Sequence, residues 1–329
     1  MPDPVRPRIA VLGTGGTIAG LPLQGGLGYR AGALSVQNIL SALPDVDGWL
    51  QLHCEQLSNI GSQNIAYADW LRLAARVQTL ADGETVDGIV ITHGTDTLEE
   101  TAYFLDQTLC CGIPVVLTGA MRPAHAVGAD GPGNVLGALA VAASRQSAGR
   151  GVLVVMNEQI HSARDVQKTA ATGVDAFASP NSGPAGWVQG RDLAYYSPAP
   201  SASAPMFGVL PETPPRVFIL HVHADADVAM VRACVGLEPD GIVMAGVGNG
   251  NAPDDVLAVL SKAAADGVAV VRASRTGSGR VVRNAEIDDD NEGFIVSGHL
   301  SPQKARIRLM LALTQSRDPA VLQTYFMPE

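Results

Sequence analysis

Apolar residues in this chain gather in short, nearly unbroken runs instead of alternating with polar ones. Residues 88–92 (GIVIT), 114–118 (PVVLT) and 152–156 (VLVVM) have the pattern of strands buried on both faces, which parallel sheets produce. Between these runs the period changes to that of helices. Residues 66–81 carry Leu71, Leu73, Ala74 and Val77 as an apolar stripe, residues 130–144 form an alanine-rich segment, and residues 35–43 form a shorter helix. Residues 8–20 (RIAVLGTGGTIAG) predict one more strand running into a glycine-rich turn. The alternation implies an α/β fold with a doubly wound, largely parallel sheet covered by helices on both faces.

Residues 196–215 (YSPAPSASAPMFGVLPETPP) interrupt both periods and read as a linker. Beyond it, strands are expected at residues 217–221, 241–244 and 268–272, with helices near 226–237, 253–265, 301–313 and 319–326. The expected organisation is therefore an N-terminal domain over residues 1–195, the linker, and a smaller α/β domain over residues 216–329.

Residues 88–105 (GIVITHGTDTLEETAYFL) are the stretch on which function turns. A buried strand ends there in a polar turn bearing His93, Thr95 and Asp96, and the carboxyl ends of strands are where open α/β sheets bind ligands. Thr97 followed by Glu100 predicts a capping box, and Glu99 and Glu100 are expected to act as caps favoured by the helix dipole.

Composition narrows the function further. Of 329 residues 47% are hydrophobic and the formal net charge is -10, with no Lys or Arg face, so nucleic acid is not an expected partner. The apolar run behind Arg6 and Arg8 stops at Leu12, and no run is long enough to cross a bilayer, so no membrane partner is expected and the expected location is the cytoplasm. The cysteines are Cys54, Cys110, Cys111 and Cys234. Adjacent Cα atoms lie about 3.8 Å apart, too close for ordinary disulfide geometry at Cys110 and Cys111, and buried, reduced thiols are expected. Residues 284–291 (NAEIDDDN) lack calcium-loop spacing and read as a solvated acidic turn.

Three other features bear on chemistry. The glycine-rich turn carries Thr17, and Ile18 stands where a dinucleotide fingerprint needs a small residue. Residues 21–32 resemble a flap carrying Tyr29, and Ser62 and Gln63 lie in a polar turn before a helix. No nucleophile elbow, metal-ligand spacing or phosphate loop is present, and neither a metal nor a cofactor is expected. Hydroxyls at Thr17, Tyr29, Ser62 and Thr95, with the Asp96 carboxylate and the Lys168 amine, suit covalent acyl transfer. A threonine hydroxyl is a poor nucleophile unless a base activates it, and a desolvated lysine can serve.

TGGTIAG at residues 14–20 and THGTDTLEETAYFL at 92–105 resemble the bacterial L-asparaginase and glutaminase-asparaginase family. GSQ at 61–63, GAMRP at 119–123, ADGPGN at 129–134, RDVQKT at 164–169, GNGN at 248–251, NAEIDD at 284–289 and SPQKAR at 301–306 extend the likeness over nearly the whole chain. The resemblance implies hydrolysis of L-asparagine, with some activity on L-glutamine, through a threonine acyl-enzyme. Thr17 would attack the amide with Tyr29 assisting, and Lys168, Thr95 and Asp96 would activate water. Ser62, Gln63 and Asp96 would hold the substrate's α-carboxylate and α-ammonium, and backbone groups near Thr95 and Ala120 its amide. Asn251 and Glu286 would complete a neighbouring subunit's pocket in a homotetramer of two intimate dimers. Two departures stand out: Asn64 replaces an aspartate of many secreted relatives, and the region of Gly83 lacks their disulfide partner for the position of Cys111. A non-catalytic amino-acid sensor on the same fold is the alternative, against which the intact hydroxyl, lysine and carboxylate set argues.

Overall fold

The computed structural model describes residues 6–16, 18, 20–22, 29–30, 35–41, 43, 46–199 and 206–327, with side chains left undescribed at 21–22 and 29–30. The chain divides into two compact units, residues 1–206 and 207–329.

The first unit contains strands β1 (Arg8–Gly15), β2 (Leu21–Pro22), β3 (Tyr29–Arg30), β4 (Gln51–Ile60), β5 (Gly88–Thr92), β6 (Val115–Thr118), β7 (Val152–Met156), β8 (Gln159–Ser162), β9 (Gln167–Lys168), β10 (Phe177–Ala178), β11 (Gly186–Gln189) and β12 (Asp192–Tyr195). Its helices are α1 (Val36–Ser41), α2 (Tyr67–Asp82), α3 (Leu98–Thr108) and α4 (Gly131–Ala143). Eight strands form one sheet in the order β12-β11-β8-β7-β6-β5-β1-β4. The block from β4 to β7 is parallel, and β8, β11 and β12 extend it antiparallel. From β1 the chain crosses to β4 on one side and then returns to β5 on the other. That reversal leaves a crevice beyond the carboxyl ends of β1 and β5.

Burial explains which strands were expected. Every residue of β5, β6 and β7 is buried, so each is an apolar run. Strand β4 was not expected: it forms the sheet edge, its residues are exposed or half-buried, and its sequence QLHCEQLSNI carries no clear period. Helix α4 is mostly buried and packs in one core with Ile9, Val11, Val90, Val116 and Val155. Helices α2 and α3 meet through aromatic side chains, Trp70 stacking on Phe104 at 4.9 Å between centroids and Tyr67 meeting the same ring edge-on.

The second unit has strands β13 (Val217–His221), β14 (Gly241–Gly246), β15 (Ala269–Ser274) and β16 (Phe294–Val296), all parallel in that order. Its helices are α5 (Val228–Val235), α6 (Asp254–Ala265), α7 (Asp289–Glu292), α8 (Pro302–Ala312) and α9 (Pro319–Phe326). No helix among the described residues is long and apolar enough to cross a membrane.

Two expectations need correction. The acidic stretch is not simply solvated, because Asp289 is wholly buried and its carboxylate takes two bonds from the Arg272 guanidinium, at 2.5 and 2.7 Å. Nor are the thiols buried: all four cysteines are free, Cys110 is exposed and the others are half-buried. Burial, helped by the charge of Asp82 and by Cys110, still pushes the Cys111 thiol up to about 11.

Candidate active site

The row Gly13, Thr92 and Thr118, paired across β1, β5 and β6, marks the carboxyl edge of the parallel block. The turns leaving that edge are tied to one another. Thr14 donates its hydroxyl to the Thr92 carbonyl at 2.9 Å, and the Gly16 N–H reaches the Ile60 carbonyl at the end of β4. Where the turns after β1 and β5 meet, Gly16 has φ +85° and a Cβ there would lie 2.4 Å from Gly94 Cα. A Cβ on Gly94 would in turn stand 2.7 Å from Ser62 Oγ. Only hydrogen at both positions allows this approach. Gly16→Ala is expected to cost on the order of 3 kcal/mol, from backbone strain and the clash together, read as a lowered urea midpoint. An unchanged midpoint would mean that the two turns do not pack as described.

The polar groups of this edge form one chain of hydrogen bonds. Lys168 on β9 donates from Nζ to Thr95 Oγ1 at 3.0 Å and to Asp96 Oδ1 at 2.7 Å. Thr95 is buried, whereas the Asp96 side chain stays 60% exposed, so one end of the lysine's grip faces solvent. Ser62, buried in a single 3-10 turn, accepts the Asp96 N–H on Oγ at 3.2 Å. Because that bond uses the oxygen as acceptor, the Ser62 O–H remains free to donate to a bound anion. Gln63 beside it is exposed, and Ala120 is buried at the end of β6. Asp130 accepts the N–H groups of Met121 and Arg122, and Asn134 donates to the Gly119 carbonyl at 3.0 Å, which together fix the turn bearing Ala120.

Several residues that carry this arrangement were misread or missed in the sequence. Thr97 is not half of a capping box: its side chain makes no cap bond and donates to the Ser62 carbonyl at 2.7 Å. Glu99 does more than cap, since it is buried and accepts the backbone N–H of Lys168. Asp165 accepts backbone and side-chain bonds from Asn181 and Ser182. Burial raises its pKa, but those bonds together outweigh it and hold the carboxyl below its usual range.

His93, wholly buried, donates its backbone N–H to the Thr118 carbonyl and directs Nδ1 at the Gly94 carbonyl, 2.7 Å away. Burial lowers its pKa to about 4, against a smaller opposing pull from Gly94. Between about 4 and 6.5 the unfolded chain therefore binds more protons, so this part of the stability is complete above pH 6.5 and is lost as pH falls towards 4. The loss is expected to reach about 3 kcal/mol at most, and urea unfolding of His93→Gln should show a correspondingly flatter acid limb. Equal slopes in both proteins would contradict the buried neutral imidazole.

In the second unit, Asn251 follows β14 and donates its side-chain amide to the Glu286 carboxylate. Arg272 organises both loops, donating to the Asn249 carbonyl at 3.0 Å and the Gly250 carbonyl at 3.2 Å while pairing with Asp289. The Asn284 N–H also ends on Asp289, at 2.8 Å. Arg272 was readable in principle, because an arginine closing a buried apolar run needs an acidic partner.

Of the other expected site residues, Thr17 lies outside the described residues, as do the Tyr29 side chain and most of the expected flap. No group of three or more His, Cys, Asp or Glu among the described residues could hold a metal ion.

Residues 8–201 match the family model described as asparaginase, N-terminal, and residues 216–326 the one described as glutaminase/asparaginase C-terminal domain. The chain is 46% identical over 324 residues to "Probable L-asparaginase periplasmic" of Haemophilus influenzae, covering 97% of this chain and 92% of that protein. It is 45% identical over 328 residues to "L-asparaginase 2" of Escherichia coli, with the same coverage of each. To a "Glutaminase-asparaginase" of Pseudomonas fluorescens it is 38% identical, over 97% of this chain and 90% of the relative.

Proposed function

The chain belongs to the asparaginase family, and from that premise we propose that it hydrolyses the side-chain amide of L-asparagine to L-aspartate and ammonia, with L-glutamine as a secondary substrate. The observation that carries this reading is Lys168, whose Nζ bonds both the Thr95 hydroxyl and the Asp96 carboxylate at the carboxyl edge of the sheet. Binding alone requires no such set, and general-base activation of an oxygen nucleophile does.

In the proposed reaction the Thr17 oxygen attacks the amide carbon, and Tyr29 passes the hydroxyl proton towards the departing nitrogen. The C–N bond breaks, ammonia leaves and an ester remains. Water then gives a proton to the Thr95 and Lys168 pair and attacks the ester carbon; the C–O bond breaks, Thr17 regains its hydrogen and aspartate is released. The Ser62 O–H donates to the substrate α-carboxylate, Gln63 and Asp96 receive the α-ammonium, and backbone groups around Thr95 and Ala120 hold the developing oxyanion. Asn251 and Glu286 serve the pocket of a neighbouring subunit, within a homotetramer of two intimate dimers. Four free thiols support a cytoplasmic, reducing setting, which cell fractionation finding the protein outside the cytoplasm would overturn.

Ammonia release from L-asparagine and, separately, from L-glutamine tests the activity. Absence of release from both by the folded protein would end the catalytic reading and leave the amino-acid sensor, testable by calorimetry with aspartate. Mixing the inactive variants Thr95→Val and Glu286→Ala after dissociation tests the shared site. Half of the re-formed dimers should be mixed, each with one intact site, so activity should return to about a quarter of the wild-type level. No recovery would place both residues in the same subunit's pocket.

A further inference from the structure

Lys168 is gripped at both ends by the start of one helix. Its Nζ bonds Thr95 and Asp96, just before α3, while its backbone N–H donates to Glu99, in the first turn of α3. Strand β9 explains why the backbone needs that second grip. It is a two-residue strand whose one partner among the described residues is β10, with Lys168 opposite Phe177 and the next N–H, of Thr169, bonded to the Ala176 carbonyl at 2.7 Å. The Lys168 N–H faces away from this small ladder, and Glu99 takes it. Glu99 is only 7% exposed, and its charge lies at a helix N-terminus that favours it.

Resting on the amidohydrolase reading above, we infer that Glu99 is a positioning residue: by holding the Lys168 backbone against α3, it keeps Nζ within hydrogen-bonding reach of Thr95 Oγ1. A short strand paired on one side cannot by itself set the lysine's position to a fraction of an ångström. The helix that begins just after Thr95 and Asp96 therefore also carries the group that locates their base. Asp165 lies three residues before Lys168 but spends its bonds on Asn181 and Ser182, so it shapes the neighbouring turn and not the lysine.

The deciding comparison is wild type, Glu99→Gln and Glu99→Ala in steady-state ammonia release from asparagine, with hydrogen exchange followed over residues 166–170. Glutamine retains a carbonyl oxygen that can accept the Lys168 N–H, and alanine does not. Alanine is expected to lower kcat about 10- to 100-fold, with KM changed less than threefold, and to speed exchange at the Lys168 amide. Glutamine should restore kcat to within about fivefold of wild type and keep exchange slow. Should alanine fail to fold, glutamine alone decides, because its kcat and exchange either stay near wild type or do not. Unchanged kcat and exchange in the alanine variant, or a folded glutamine variant as impaired as alanine, would overturn the proposal. A wild-type protein that releases no ammonia would remove the catalytic reading, while the exchange measurement would still report on the Glu99 contact.

Discussion

Replacing Lys168 by methionine is expected to lower kcat for asparagine hydrolysis about a thousandfold while the protein remains folded. The lysine Nζ lies 3.0 Å from the Thr95 oxygen and 2.7 Å from Asp96, and no other lysine or arginine nitrogen among the described residues pairs with that carboxylate. Methionine keeps the length and most of the apolar stem but cannot move a proton. Stability should change little, because the carboxylate left behind is 60% exposed and water can solvate it. Lys168→Arg separates two explanations. Arginine restores the positive charge but cannot act as a base. A rate near that of the methionine variant would point to proton transfer by Lys168, whereas recovery to within tenfold of wild type would make the lysine an electrostatic partner and refute the base assignment. Thermal melting followed by circular dichroism supplies the control for folding.

The largest expected loss of stability lies in the second unit, at Arg272. Its side chain and that of Asp289 are 1% and 0% exposed, and they meet through two parallel bonds. Arg272→Met leaves the Asp289 carboxylate buried without its charge partner, and Asp289→Leu does the same to the guanidinium. Each change is expected to cost about 3 to 5 kcal/mol by urea unfolding. The double variant should be less destabilised than the sum of the two, since it strands no charge, but it should not return to wild type. The carbonyls of Asn249 and Gly250 would still lack the donor that Arg272 provides. A loss below about 1 kcal/mol in either single variant would contradict the buried pair. Because Arg272 ties together the loops bearing Asn251 and Glu286, folded survivors are also expected to lose activity.

What could be read from the sequence follows from where the chemistry is local and where it depends on burial. Strands β5, β6, β7 and β14 were legible because both faces are buried, which forces apolar residues at every position. Strand β4 and the antiparallel β8, β11 and β12 were not: β4 and β12 are the exposed or half-buried edges of the sheet, and β8 and β11 are four-residue strands of which only half is buried. Thr95 and Asp96 were legible as candidates because their turn follows a buried strand, at the end where open α/β sheets bind ligands, and Ser62 because it stands in a polar turn before a helix. Glu99 and Asp289 were not. A carboxylate in a first helical turn or in an acidic loop looks solvated until tertiary packing removes its water, and that packing comes from residues 69 positions away for Glu99 and 17 for Asp289.

The contact between Gly16 and Gly94 also bears on how substrate choice can be re-engineered. A saturation library spanning both turns would fill with unfolded chains at these two positions, because a side chain at Gly16 would strike the Gly94 backbone and one at Gly94 would strike Ser62. Gln63 and Asn64 are exposed beside Ser62 and meet no such restriction. Diversity placed there, with the glycines held constant, would sample the ratio of asparagine to glutamine turnover in a population of folded enzymes.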